Sequence, residues 1–147
     1  MINLLVIHCS ATPPSMDIGV EDIRQWHLER GWSDIGYHYI IDRNGGSYKG
    51  RDLDNDGDVE DETGAHAYGF NKNSLSICMV GGVDEDGNPE CNFTRRQWGA
   101  LNVLVTNISN RHHLTKAQIK GHNELPGVDK ACPCFSVKGW LSDSLDA

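Results

Sequence analysis

Two stretches of the chain place apolar residues at the spacing of an amphipathic helix. The first runs from Val20 to Arg30, with Asp17 as its candidate N-cap and Gly31 as its stop. The second begins at Thr94, whose hydroxyl is suited to cap the helix while Gln97 completes a capping box. The pattern therefore predicts two helices, and one face of the second carries Trp98, Leu101, Leu104, Val105 and Ile108.

Short apolar runs bounded by turn residues predict strands. Asn3 to His8 indicates a buried strand that ends in a polar loop, and Ser74 to Val80 indicates a central strand. Residues 36–49 contain two strand-like runs around an Asn-Gly turn, which is typical of a hairpin. Ile119 to His122 predicts a short last strand. Together with the helices, these strands predict an α/β fold with a central mixed β-sheet flanked by helices.

The composition is that of a globular protein with one domain. With 147 residues, of which 38% are hydrophobic and 23% charged, we expect a single domain over residues 1–147. The formal net charge of -8 argues against nucleic acid as a partner, because phosphate backbones are bound by basic surfaces. The longest early apolar run, Leu4 to Ile7, is too short for a membrane span or a signal peptide. We therefore expect a protein that is made in the cytoplasm and has no membrane contact. We also expect a monomer.

The five cysteines are an odd number without regular spacing: Cys9, Cys78, Cys91, Cys132 and Cys134. This pattern is typical of free thiols in a reducing compartment. Cys132 and Cys134 are separated by one residue, and such near neighbours rarely reach disulfide geometry. Metal binding or burial is left to explain them.

Three residues next to predicted loops are of the types that bind zinc. His8 lies at the end of the first strand, His122 follows Gly121, and Cys132 precedes a proline. Their spacing is not that of a zinc finger or of an H-E-x-x-H helix. A single histidine is more often a surface or core residue than a metal ligand, so the spacing alone does not predict a metal site.

A series of ordered blocks gives the sequence a family resemblance. The blocks are His8-Cys9-Ser10-Ala11-Thr12, Ile23-Arg24-Gln25-Trp26-His27, Gly31-Trp32-Ser33-Asp34-Ile35-Gly36-Tyr37-His38-Tyr39, Gly50-Arg51-Asp52, Gly64-Ala65-His66-Ala67-Tyr68-Gly69-Phe70-Asn71, Gly121-His122-Asn123-Glu124 and Lys130-Ala131-Cys132-Pro133. The sequence resembles the type-2 N-acetylmuramoyl-L-alanine amidases, particularly the small bacteriophage lysozymes that are amidases in mechanism, and is more distantly similar to peptidoglycan recognition proteins. The resemblance covers nearly the whole chain and implies the fold of that family.

The resemblance implies zinc as the cofactor and peptidoglycan or a muropeptide as the substrate. It assigns His8, His122 and Cys132 as the zinc ligands, a set of three that leaves the fourth tetrahedral position for water, as in catalytic zinc sites. The implied reaction is hydrolysis of the amide between the lactyl group of N-acetylmuramic acid and the L-alanine of the stem peptide. A phage-type endolysin and a cytosolic wall-fragment recycling enzyme both agree with this reading.

The resemblance also identifies residues around the metal. Tyr37 matches the family's catalytic tyrosine, whose phenol is suited to orient the water, relay a proton or hydrogen-bond the oxyanion. Lys130 matches the catalytic lysine, whose charge would stabilise the oxyanion. His66 and Asn71 belong to a block that lies at the substrate groove in similar proteins, although Asn71 is equally typical of a turn residue that fixes its own loop.

Two other functions compete with an amidase. A non-catalytic muropeptide-binding module would share the fold, but the presence of Cys132 argues against it, because loss of that ligand is the usual route to an inert relative. A glycosidase would need two carboxylates that flank a sugar bond, whereas the acidic residues here cluster mainly between Asp54 and Glu62. We expect that acidic insertion to be a solvated loop, with calcium binding as the alternative, because its glycine and its twelfth position do not fit a calcium loop.

Overall fold

The computed structural model describes residues 1–144. Its strands are β1 (Leu4–Cys9), β2 (Tyr39–Ile41), β3 (Ser47–Lys49), β4 (Ser74–Met79) and β5 (Ile119–Gly121), and its helices are α1 (Val20–Glu29), α2 (Arg95–His112) and α3 (Val137–Ser144). Two short 3-10 turns, Lys116–Gln118 and His122–Glu124, flank β5. No helix in the described range is long and apolar enough to cross a membrane.

The five strands form one mixed sheet in the order β3-β2-β4-β1-β5. Strand β1 is parallel to both β4 and β5, β2 is parallel to β4, and only β3 is antiparallel to its neighbour. In this register His8 pairs with Cys78 and Ile7 pairs with Gly121. The end of β1 and the residue after β5 therefore meet at the same edge of the sheet, where ligands commonly bind in α/β folds.

The two faces of β1 pack against different layers, because successive side chains of a strand point to opposite sides. Leu5, Ile7 and Cys9 belong to the main core, which also contains apolar residues of α2 and α3. Val6 packs instead with Ala67 and Leu125 on the other face. His8 follows the same alternation as Val6, so its ring lies on the face away from α2 and α3.

The helix predictions hold with two differences. Thr94 caps α2 as predicted, since its hydroxyl accepts a hydrogen bond from the Gln97 N–H at 3.1 Å. Asp17 is wrong as the cap of α1: the N-cap is Gly19, whose N–H donates to the Asp22 carboxylate at 2.9 Å. Helix α3 was not predicted, because its eight residues are too few for a clear helical period.

The acidic insertion is solvated only in part. Residues 54–58 are exposed, but Val59 is 1% exposed and packed inside the protein. The Glu60 carboxylate accepts hydrogen bonds from Arg111, His112 and Tyr39. The expectation of a solvated loop is therefore wrong for Val59 and Glu60, because α2 supplies a basic end that a carboxylate can reach only in the folded chain.

Candidate active site

The three candidate zinc ligands come together at the sheet edge. One donor atom each from His8, His122 and Cys132 lies within 4.8 Å of the other two. His8 Nδ1 lies 3.8 Å from Cys132 Sγ, and the ring centroids of His8 and His122 are 4.6 Å apart. His8 and His122 are buried, while Cys132 is partly exposed, so the cluster is accessible from one side.

The loop that carries Cys132 is held against the end of β5. Asn123 donates its backbone N–H to the Cys132 carbonyl at 2.8 Å, and Cys9 donates its N–H to Cys132 Sγ at 3.2 Å. Gly121 permits this close approach, because a Cβ there would lie 2.6 Å from Asn123 Oδ1 and 3.0 Å from Pro133 Cδ. Cys132 is thus held on its carbonyl by the turn after β5 and on its sulfur by the end of β1.

The electrostatics of the cluster favour neutral imidazoles. Burial lowers the pKa of His8 well below its ordinary value, and the nearby rings of His66 and His122 lower it further. Burial also lowers the pKa of His122, with a contribution from the Lys130 ammonium. Neutral imidazole nitrogens and a sulfur are the donors that Zn²⁺ prefers, so the donor set fits zinc on chemical grounds.

A cleft of about 790 Å³ opens above the cluster. All of the predicted site residues line it: His8, Tyr37, His66, Asn71, His122, Lys130 and Cys132. The Tyr37 ring lies 5.2 Å from the His8 ring, measured between centroids, and Lys130 is exposed to solvent. The structure therefore brings the predicted ligands, tyrosine and lysine into one cavity open to solvent.

His66 is bonded within the protein on both ring nitrogens. Its Nδ1 lies 2.9 Å from His8 Nε2, and its Nε2 lies 3.0 Å from the Ser74 hydroxyl. Burial, together with the nearby rings of His38 and His122, lowers the pKa of His66 to about 3. Asn71 Oδ1 accepts hydrogen bonds from the backbone N–H groups of His66 and Ala67, each at 2.9 Å. Asn71 thus fixes its own loop, and substrate contact by either residue stays a prediction.

Sequence reasoning missed two polar residues that support the site. Ser74 is 1% exposed and accepts from or donates to the His66 ring at the start of β4. His27 is buried on α1 and accepts the Gly36 N–H on its Nδ1 at 2.9 Å, next to Tyr37. Burial first, and then Arg30 and Arg51, lower the pKa of His27 to about 4. The signal for His27 was a polar residue at a core position of the helix.

Comparisons with known proteins identify the family of this chain. Residues 1–135 match the type-2 family model described as N-acetylmuramoyl-L-alanine amidase. The chain is 45% identical over 135 residues to an endolysin of Enterobacteria phage K11, covering 92% of this chain and 82% of that protein. It is 43% identical over 138 residues to an endolysin of Escherichia phage T7, covering 94% and 84% respectively.

A solved structure gives the same result. The N-acetylmuramoyl-L-alanine amidase LysC from Clostridium intestinale URNW aligns with a TM-score of 0.79 and 27% sequence identity. The alignment covers 99% of this chain and 86% of LysC. The similarity therefore includes the sheet edge and the cleft.

Proposed function

The chain belongs to the type-2 N-acetylmuramoyl-L-alanine amidase family, and we propose that it works through a zinc ion held by His8, His122 and Cys132. It is a peptidoglycan hydrolase that cleaves the amide between the lactyl group of N-acetylmuramic acid and L-alanine. The observation that carries the zinc proposal is the convergence of the three donor atoms within 4.8 Å at the floor of the cleft.

The donor set favours zinc in a catalytic rather than a structural role. Two imidazoles and one thiolate suit a borderline-soft cation, and three protein ligands leave one coordination position for solvent or substrate. When bound, the zinc supplies a Lewis acid that polarises the scissile carbonyl and lowers the pKa of the attacking water. The protein's own contribution is to hold the substrate and to stabilise charge around that centre.

Tyr37 and Lys130 are the proposed catalytic residues. A phenol keeps its proton at neutral pH. We propose that Tyr37, whose ring lies beside His8, orients the water, relays a proton or donates a hydrogen bond to the oxyanion. Lys130 stands two residues before Cys132 and is near enough to lower the pKa of His122. We propose that its ammonium group stabilises the negative charge that develops on the carbonyl oxygen.

The reaction adds one water across the amide bond. The C–N bond breaks, the lactyl carbonyl carbon gains the water oxygen and becomes a carboxylate, and the L-alanine nitrogen takes both protons of the water and leaves as an ammonium group. The stem peptide would lie along the cleft wall where His66 and Asn71 occur. Wall and floor together would hold the scissile amide against the ligand cluster.

The setting of the activity is also a proposal. We infer that the protein is a monomer that is made in the cytoplasm and reaches the wall after release. Similarity to two proteins named endolysin supports wall lysis over recycling of wall fragments.

Metal analysis with two cysteine variants tests the zinc proposal. Purified protein is expected to contain about one zinc per chain, to lose hydrolysis on chelation and to regain it when zinc is added. Cys132→Ser replaces a thiolate with a poor neutral ligand and should lose the metal at limiting zinc. Cys91→Ser changes an exposed thiol outside the cleft and should retain it. Full activity of metal-free protein, or equal zinc content in both variants, would contradict the proposal.

A further inference from the structure

A chain of hydrogen bonds connects His8 to the protein backbone. His8 Nε2 lies 2.9 Å from His66 Nδ1, and His66 Nε2 lies 3.0 Å from Ser74 Oγ. The Ser74 hydroxyl lies in turn 2.7 Å from the Phe70 carbonyl and 3.1 Å from the Asn71 carbonyl. The chain therefore ends on two backbone carbonyl oxygens.

The end of the chain fixes the direction of every bond in it. Carbonyl oxygens only accept, so the Ser74 O–H donates to one of them and its oxygen is left to accept from His66 Nε2–H. A neutral imidazole carries one ring proton, so His66 Nδ1 is bare and accepts from His8 Nε2–H. His8 then has its lone pair on Nδ1, the atom that lies 3.8 Å from Cys132 Sγ.

We infer that His66 is a positioning residue of the metal centre: through Ser74 it sets the tautomer and ring orientation of His8, so that Nδ1 faces the metal. This inference rests on the zinc site proposed above. It also changes the reading of His66, because both ring nitrogens are bonded within the protein and neither is left for the substrate. Partners of this kind around metal-ligating histidines fix the tautomer and raise ligand basicity.

The His66 ring is itself held in place. Asn71 Oδ1 accepts the backbone N–H of His66 at 2.9 Å. Gly64 leaves the space that the ring needs, because a Cβ there would lie 2.8 Å from His66 Cδ2 and 2.8 Å from His38 Cε1. The backbone of His66 and both of its ring nitrogens are hydrogen-bonded, so the ring is held in one orientation. It can therefore orient His8 with little loss of conformational entropy on metal binding.

Two variants of nearly equal shape separate hydrogen bonding from packing. His66→Asn keeps an acceptor near the position of Nδ1, whereas His66→Leu has similar size and no acceptor. We expect zinc affinity, measured by competition with a chromogenic chelator, to fall about 10- to 100-fold in His66→Leu and to be largely kept in His66→Asn. Ser74→Ala removes the end of the chain and should give a smaller loss.

His38→Gln is the matched control for the loss of a buried histidine. The His38 ring bonds to Ser76 and to the Glu62 carbonyl but has no hydrogen bond to His8. This variant is expected to lower the melting temperature and to keep the zinc affinity and the Co²⁺ absorption spectrum of the wild type. His66→Leu should alter both the affinity and the spectrum.

Nitrogen NMR of the zinc-loaded wild type gives a readout that needs no variant. Long-range ¹H–¹⁵N correlations should show a proton on His8 Nε2 and a proton on His66 Nε2, with His66 Nδ1 bare. If the wild type binds no zinc, the proposed metal centre itself is wrong. If the wild type binds zinc but His8 coordinates through Nε2, or His66→Leu matches wild-type affinity and cobalt spectrum, the positioning role of His66 is overturned.

Discussion

The carboxylate of Glu60 provides a quantitative test of how the acidic insertion is anchored. It accepts hydrogen bonds from Arg111 Nε at 3.2 Å and His112 Nε2 at 2.6 Å, and a third from the Tyr39 hydroxyl. Burial alone would raise the pKa of Glu60, but the bonds from Arg111, Tyr39 and His112 outweigh it and lower the pKa from 4.5 to about 2. Two residues further along the insertion, the backbone carbonyl of Glu62 accepts a hydrogen bond from His38 Nε2.

The lowered pKa corresponds to a limited gain in folding stability. At about 1.4 kcal/mol per pKa unit, the shift corresponds to an upper bound of about 3 kcal/mol. The Arg111 side chain is 49% exposed, so solvent screening reduces the expected gain to about 1–2 kcal/mol. Because the pKa is lower in the folded chain, this stability is complete above about pH 4.5 and is lost as the pH falls toward about 2.

Urea unfolding of wild type and Glu60→Gln at several pH values measures this contribution. The wild type should be more stable by about 1–2 kcal/mol at pH 7, and the difference should shrink by roughly half between about pH 5.5 and about pH 3. Glu29→Gln, at an exposed position of α1, is the control and should give only a small difference in stability. A wild-type advantage over Glu60→Gln that is constant from pH 7 to pH 3 would refute the reasoning.

Two further predictions concern the cleft and the insertion. Lys130→Ala should keep zinc stoichiometry and melting temperature while turnover falls about 100-fold or more, as for the loss of an oxyanion donor. The control Lys72→Ala, at an exposed position outside the cleft, should leave turnover unchanged. If Lys130→Ala changes only KM, Lys130 contributes to substrate binding and does not stabilise the oxyanion. Replacing residues 54–58 with a Gly-Ser linker should leave a folded, zinc-loaded protein. If calcium raises the melting temperature of the intact chain but not of that variant, residues 54–58 are part of a calcium site.

Local patterns predicted the elements best where a few neighbouring residues decide the structure. The capping box at Thr94 and Gln97 and the buried run of β4 are of this kind, since each depends on contacts within one or two turns or on continuous burial. The cap of α1 was mispredicted because Asp17 and Asp22 are both plausible acidic partners, and only the folded backbone shows that Asp22 reaches Gly19.

Contacts between distant parts of the chain could not be predicted from residue patterns. The sequence offered His8, His122 and Cys132 as separate candidates, and only the family resemblance grouped them. Their convergence depends on the parallel pairing of β1 with β5 and on the backbone hydrogen bond between Asn123 and Cys132. The hydrogen bond between His8 and His66 joins residues 58 positions apart in the sequence. The periodicity of apolar residues within a helix or strand gives no information about such a pair.

Analysis of the products from purified peptidoglycan tests the central claim most directly. Sacculi digested with the zinc-loaded protein should release stem peptides with new N-terminal L-alanine, detected by mass spectrometry and by labelling of free amines. The glycan strands should keep their length and gain no reducing ends. New reducing sugar ends without free L-alanine would identify a glycosidase, and muropeptide binding without release of any product would identify a recognition module; either result would contradict the assignment of a zinc amidase.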